Sequence, residues 1–151
     1  MKKVFSFCLI CLFAVSAMAQ DYVDLGLPSG TLWKRQNEFG FYTYEEAIKR
    51  FGNKLPERHH YVELINECTW IWMDDYGYKV VGPNGNSITF PAAGDRGCEG
   101  DVMSCVGTHG RYWSSTPGYS DDQAWRIDFG SRHVDMYSGF RCLWLSVRLV
   151  Q

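Results

Sequence analysis

The stretch from Trp125 to Tyr137 constrains the fold of this chain more than any other. Trp125, Ile127 and Phe129 alternate with Arg126 and Asp128; beyond Gly130 and Ser131, Val134 and Met136 alternate with His133, Asp135 and Tyr137. A period of two is that of a strand with one buried face, whereas a helix would scatter the same apolar residues around its circumference. The reading is therefore a β-hairpin, apolar on one side and decorated on the other. The decoration, including Arg132 in the turn, continues through Ser138 to Leu145 and takes in Phe140, Leu143 and Trp144. Core packing has no use for charges of both signs set among aromatics, so this face is the candidate binding site.

The preceding chain supplies the rest of an α+β domain. Tyr22 to Leu25 read as a short strand, the turn Pro28-Ser29-Gly30 follows, and Leu32 and Trp33 form a second apolar pair. Thr43 with Glu46 three residues later is a capping box, Ala47, Ile48 and Phe51 give an apolar side, and Gly52 is a stop signal. A second helix is expected from about Pro56 to Cys68, with Tyr61, Leu64, Ile65 and Cys68 at helical spacing. From Thr69 the period becomes strand-like, and Tyr78–Val81 and Ser87–Phe90 flank the turn signal Gly82-Pro83-Asn84-Gly85-Asn86. Pro91 to Gly110 reads as a glycine-rich surface loop.

Lys2 and Lys3 precede an apolar run from Val4 to Val15, and Ala17-Met18-Ala19 is a small-x-small site, the pattern of a signal peptide over residues 1–19. The mature chain expected to start at Gln20 is one domain's length, soluble, with no membrane span after cleavage. The destination is secreted or periplasmic, with cell-surface association as an option. Cys68, Cys98, Cys105 and Cys142 then face an oxidising compartment, and four cysteines allow three pairings. Cys98 with Cys105 is the expected pair, because the glycine-containing loop between them can close on itself; Cys68 reads as a buried free thiol.

Charge and motif content narrow the function classes. Fifteen basic against 17 acidic residues give no footprint for nucleic acid or an acidic membrane. The mature chain has neither a CxxC nor histidines at ligand spacing, so there is no reading as a metal site, and no cofactor is expected. Ser114, Ser115, His133 and the aspartates have no GxSxG or other context that sets a serine beside a base. No catalytic residues are assigned, and the chain reads as a non-enzyme.

Six short motifs occur in order: VDLGLPSGTLW at 23–33, LP at 55–56 leading into CTW at 68–70, GPNGNSI at 82–88, PAAG at 91–94, YWSST at 112–116 and SVRLV at 146–150. Together they resemble secreted Bacteroides-type proteins of the Fibrobacter succinogenes major paralogous domain, close to the variable proteins of diversity-generating retroelements and distantly related to formylglycine-generating enzymes. The resemblance implies a C-type-lectin-like fold with paired N- and C-terminal strands, two short helices and a C-terminal hairpin that displays a diversifiable surface. It also implies that Trp113, Ser114, Ser115, Val147, Arg148 and Leu149 are scaffold. Arg126, Asp128, Arg132, His133, Asp135, Tyr137, Phe140, Leu143 and Trp144 would then be the ligand-binding set. Glu57 stands where relatives carry a capping threonine, so the second helix is expected to fray at its start. Trp144 stands where they tend to have glycine.

The expected function is a recognition module for a glycan or surface protein. An enzyme or enzyme remnant of the formylglycine-generating type is the alternative, and a structural part of a surface assembly comes third.

Overall fold

The computed structural model describes residues 21–151. The expected leader, with Cys8, Cys11 and the cleavage site after Ala19, lies outside the described residues. The architecture is mixed α+β, with two helices and several small antiparallel sheets.

The short strand β1 (Tyr22–Asp24) pairs with β2 (Leu32–Lys34), and the C-terminal residues join β2 on its other side. The Lys34 N–H donates to the Leu149 carbonyl at 2.9 Å, and Leu32 and Gln151 exchange bonds of 2.9 and 3.0 Å. The expected direct pairing of first and last strands is thus corrected, since β2 stands between them. The apolar residues of the two terminal segments are all buried, but against different cores: Val23 and Leu25 in one, Val147 and Leu149 in another. Alternation shows that a residue is buried and is silent on what it is buried against. Arg148, which alternates with Val147 and Leu149 and on strand periodicity alone would face outward, is 1% exposed because the C-terminal segment runs between these two cores.

Helix α1 (Tyr44–Phe51) starts with the expected reciprocal cap. The Glu46 N–H donates to Thr43 Oγ1 at 3.3 Å and the Thr43 N–H to Glu46 Oε2 at 3.0 Å. It stops at Gly52, whose φ of 53° favours glycine. Helix α2 (Arg58–Glu67) does not have the loose start expected of it. The Glu57 N–H donates to His60 Nδ1 at 2.9 Å, and the Arg58 N–H donates to Thr116 Oγ1 at 2.8 Å. An imidazole within the first turn and a strand hydroxyl distant in sequence together do the work of the missing threonine.

Strands β3 (Thr69–Met73), β4 (Gly77–Val81) and β5 (Ser87–Pro91) form one antiparallel sheet, with the expected turn over 82–86. The passage expected to be loop contains a two-residue ladder, β6 (Asp95–Arg96) with β7 (Met103–Ser104). Strands β8 (His109–Pro117), β9 (Gln123–Gly130) and β10 (His133–Phe140) make the sheet that carries the hairpin. On its apolar side Ile127 and Phe129 are fully buried, facing Tyr112, Phe90 and Tyr78 in an aromatic core. Gly110 pairs with Phe129, and a side chain there would collide with the phenylalanine ring. Trp125, at the same face's end, is half-buried under the Arg58 guanidinium, 4.2 Å from the ring centroid.

The disulfide joins Cys98 to Cys142, not to Cys105. Arg96 and Trp144 exchange antiparallel backbone bonds of 3.0 and 3.1 Å. Two residues onward from Arg96 and two back from Trp144, this register sets Cys98 opposite Cys142, with Cα atoms 4.8 Å apart. Cys105 is exposed and free, and Cys68 is free and half-buried. Loop length alone favoured the wrong partner, because the β6–β7 ladder and the Trp144 bridge are long-range facts.

Candidate binding face of the C-terminal hairpin

The hairpin register is continuous from His133 opposite Gly130 to Phe140 opposite Gln123. It sets Asp135 beside Asp128 and Tyr137 beside Arg126, so the five decorated residues Arg126, Asp128, His133, Asp135 and Tyr137 share one side as alternation requires. Strand β8 adds Arg111 beside Asp128 and Trp113 beside Arg126 on that same side.

This face is not uniformly open, and two expected surface residues are corrected. Asp128 is 6% exposed and the Arg126 side chain is largely covered. The same face carries the second core at its lower end, where Trp113 and Ala124 pack with Leu145 and Val147 of the C-terminal segment. Arg126 extends from that core across Gly139, where a side chain would meet its guanidinium. Strand alternation selects a face; it does not reveal the segment that returns to cover it.

The covered part is a charge network. Arg111 donates from Nε to Asp128 Oδ2 at 2.8 Å and reaches Asp95 Oδ2 from Nη1 at 2.9 Å. Arg126 Nη2 lies 3.3 Å from Asp128 Oδ2, His133 Nε2 lies 3.5 Å from Asp128 Oδ1, and Ser104 Oγ donates to Asp95 Oδ1 at 3.0 Å. Burial pulls the Arg126 guanidinium below its ordinary pKa, opposed by Asp128 and reinforced by the nearby Arg111 charge. For Arg111 burial acts in the same direction, but the bond to Asp128 and the fields of Asp128 and Asp95 outweigh it and hold the pKa up. Arg126 Nε is buried with no protein partner. Two arginines and two aspartates thus form a stiff floor, since each charge is fixed by its neighbours.

Above this floor stand the accessible residues. His133, Asp135 and Tyr137 are exposed along β10, Tyr137 by 45%; Phe140, also expected on this face, is exposed at the strand's end but falls on the opposite side by alternation, where it pairs with Gln123. Arg132 projects at the β9–β10 turn and lines a depression with Trp72, Asp74, Asp75, His109 and His133. Asp135 Oδ1 accepts the N–H of Met136 at 2.7 Å. Leu143 and Trp144 belong elsewhere: Leu143 packs on the second core, and Trp144 lies with Phe41, Tyr42 and helix α1. The expected nine-residue set is therefore split: Arg126 and Asp128 form the floor, Arg132, His133, Asp135 and Tyr137 stand over it, and Phe140, Leu143 and Trp144 lie elsewhere. Arg111, Asp95 and His109 were missed. Arg111 had a usable signal in its alternation with Tyr112, whereas Asp95 had none.

Among the described residues no cluster of histidine, cysteine and acidic side chains is arranged to hold a metal ion, and no helix is long and apolar enough to cross a membrane. The disulfide is of the kind that persists in oxidising, extracytoplasmic surroundings. Residues 69–150, which span β3 to the C-terminal segment, match a family model described as a domain of unknown function, DUF8237. No curated protein and no solved structure matches the chain.

Proposed function

The chain belongs to the DUF8237 family, and we propose that it is a secreted or periplasmic recognition module that binds a glycan or a surface protein through the hairpin face. The observation that carries this reading is the row His133, Asp135 and Tyr137, exposed on a regular strand and backed by the Arg111–Asp128–Arg126 floor. Rigid aromatic and charged side chains on a fixed backbone are what low-entropy binding surfaces require. The ordered motifs support a finer reading, a C-type-lectin-like domain akin to those of the Fibrobacter succinogenes major paralogous domain and retroelement-variable proteins. Two helices beside small sheets and a C-terminal hairpin that ends in exposed side chains are consistent with it.

The test is a binding screen against immobilised glycans and surface proteins, run beside thermal melts. Replacing Arg132, His133, Asp135 and Tyr137 together by alanine should shift stability by no more than about ±0.5 kcal/mol per site. Affinity for a ligand found with the wild type should fall by about 30-fold or more, as when an anchor worth about 2 kcal/mol is truncated. Asp128→Asn should behave oppositely and cost about 3–5 kcal/mol of stability, because it strips a buried charge from two guanidinium partners. Full affinity in the quadruple variant would remove the site from this face.

A further inference from the structure

The outlying Trp144 belongs to a second aromatic feature on a different part of the surface. Phe41, Tyr42 and Trp144 line a groove of about 460 Å³ together with Glu46, Lys49 and Arg50 of α1. That volume falls within the roughly 300–1,000 Å³ typical of small-molecule sites. Its walls are fixed. The Tyr42 and Leu145 backbones exchange bonds of 2.9 Å, Arg96 and Trp144 are bonded in both directions, and Cys142 is tied to Cys98. The indole lies against Gly100, where a Cβ would sit 3.0 Å from its Nε1.

Cations outnumber the single carboxylate at this groove. Lys49 and Arg50 are exposed, and neither is within salt-bridge distance of a carboxylate among the described residues. Glu46 is occupied by the helix cap, where its Oε2 accepts from both Thr43 N and Oγ1. A third cation, Arg96, lies 5.5 Å from the Phe41 ring centroid and donates to the Gly100 carbonyl at 3.3 Å. The C-terminal end of a helix, with its partial negative charge, favours lysine and arginine in any case, which accounts for Lys49 and Arg50 being on the last turn but not for the aromatic walls beside them.

We propose that this groove is a second binding site and that it takes an anionic saccharide, with a sugar ring against the aromatic walls and its carboxylate or sulfate at Lys49 and Arg50. The rings of Phe41 and Trp144 suit the apolar face of a pyranose, Tyr42 being buried beneath Arg50, whose guanidinium lies 5.5 Å from its ring centroid, and rim cations with no carboxylate partner select the acidic sugars. An extended peptide fits less well, because strand addition needs free backbone groups. Here the backbones of Tyr42, Trp144 and Leu145 are already bonded on the groove's flanks.

Titration calorimetry with the oxidised protein tests this, using tetragalacturonate, a chondroitin sulfate tetrasaccharide, carboxyl-reduced tetragalacturonate and hexaglutamate as probes. At least one charged sugar should bind, and which one identifies the anion. The neutral sugar and the acidic peptide should bind at least tenfold more weakly. Lys49→Ala/Arg50→Ala, which alters exposed positions alone, should weaken sugar binding at least tenfold with unchanged melting, and Trp144→Ala should weaken it likewise, with some loss of stability from the half-buried indole. The variant altered at Arg132, His133, Asp135 and Tyr137 should bind these probes as the wild type does, which separates this groove from the hairpin face. Failure of both charged sugars to bind, equal binding of the neutral sugar or the peptide, or indifference to the Lys49/Arg50 double change would overturn the proposal.

Discussion

Arg148 donates to the single amide oxygen of Asn37 twice, from Nε at 2.9 Å and from Nη2 at 2.5 Å. Its remaining donors reach the carbonyls of Lys34, Arg35 and Thr89 at 3.0, 3.0 and 2.6 Å, and its guanidinium lies 4.5 Å from the Phe90 ring centroid. A buried cation is thus held by neutral acceptors and an aromatic face. It connects the segment after β2 to the edge of β5.

Arg148→Lys should destabilise the protein by about 2–4 kcal/mol, because an ammonium offers three donors where the guanidinium uses five and leaves buried carbonyls unpaired. Denaturant unfolding of the two proteins measures this directly. A change below about 0.5 kcal/mol would mean that the fork geometry is dispensable.

Cysteine chemistry separates the two free thiols. Burial, with Glu63 and Glu67 adding, pushes the Cys68 thiol up to about 11, while Cys105 is exposed. Iodoacetamide at pH 8 should therefore label Cys105 rapidly and Cys68 slowly, and neither Cys98 nor Cys142 without reductant. The bridge encloses a sequence separation of 44 residues, so Cys98→Ser/Cys142→Ser should lose about 4 kcal/mol by chain entropy. Peptide mapping that found Cys98 joined to Cys105 would contradict the Arg96–Trp144 register.

His60 makes the start of α2 sensitive to acid. Burial, with the neighbouring His59 adding, holds its pKa below the ordinary histidine value, and its Nδ1 accepts the Glu57 N–H. A depressed folded pKa means that the unfolded chain takes up the proton first. The stabilisation is present above the unfolded value, about 6.5, and is lost as the pH falls from there through the folded value. Melting temperature should decline between pH 7 and 5, and His60→Gln, which keeps an acceptor at this position, should flatten that decline.

The parts of the fold set by neighbouring residues were legible in the sequence. Thr43, Glu46 and Gly52 delimit α1, Gly82 to Asn86 turn β4 into β5, and alternation gives the hairpin from Trp125 to Tyr137 its two faces. Other features depend on which segments meet, and local pattern carries no record of that. Arg126 and Asp128 are covered because core residues and Asp95 arrive from distant parts of the chain. Cys142 finds Cys98 through a bridge made by Trp144, and Thr116 caps a helix 58 residues earlier. In the candidate site the exposed row was readable, while its floor, which needs Arg111 and Asp95, was not.

The placement of β2 between β1 and the C-terminal segment has a mechanical consequence. Both neighbours run antiparallel to β2, so they run parallel to each other, and tension applied through Asp21 and Gln151 would pull them in opposite directions along their own axes. The hydrogen bonds on the two flanks of β2 would then be loaded together in shear and could not be opened one at a time from an end. A domain tethered at one terminus and pulled at the other would resist extension most where strands of only three residues meet.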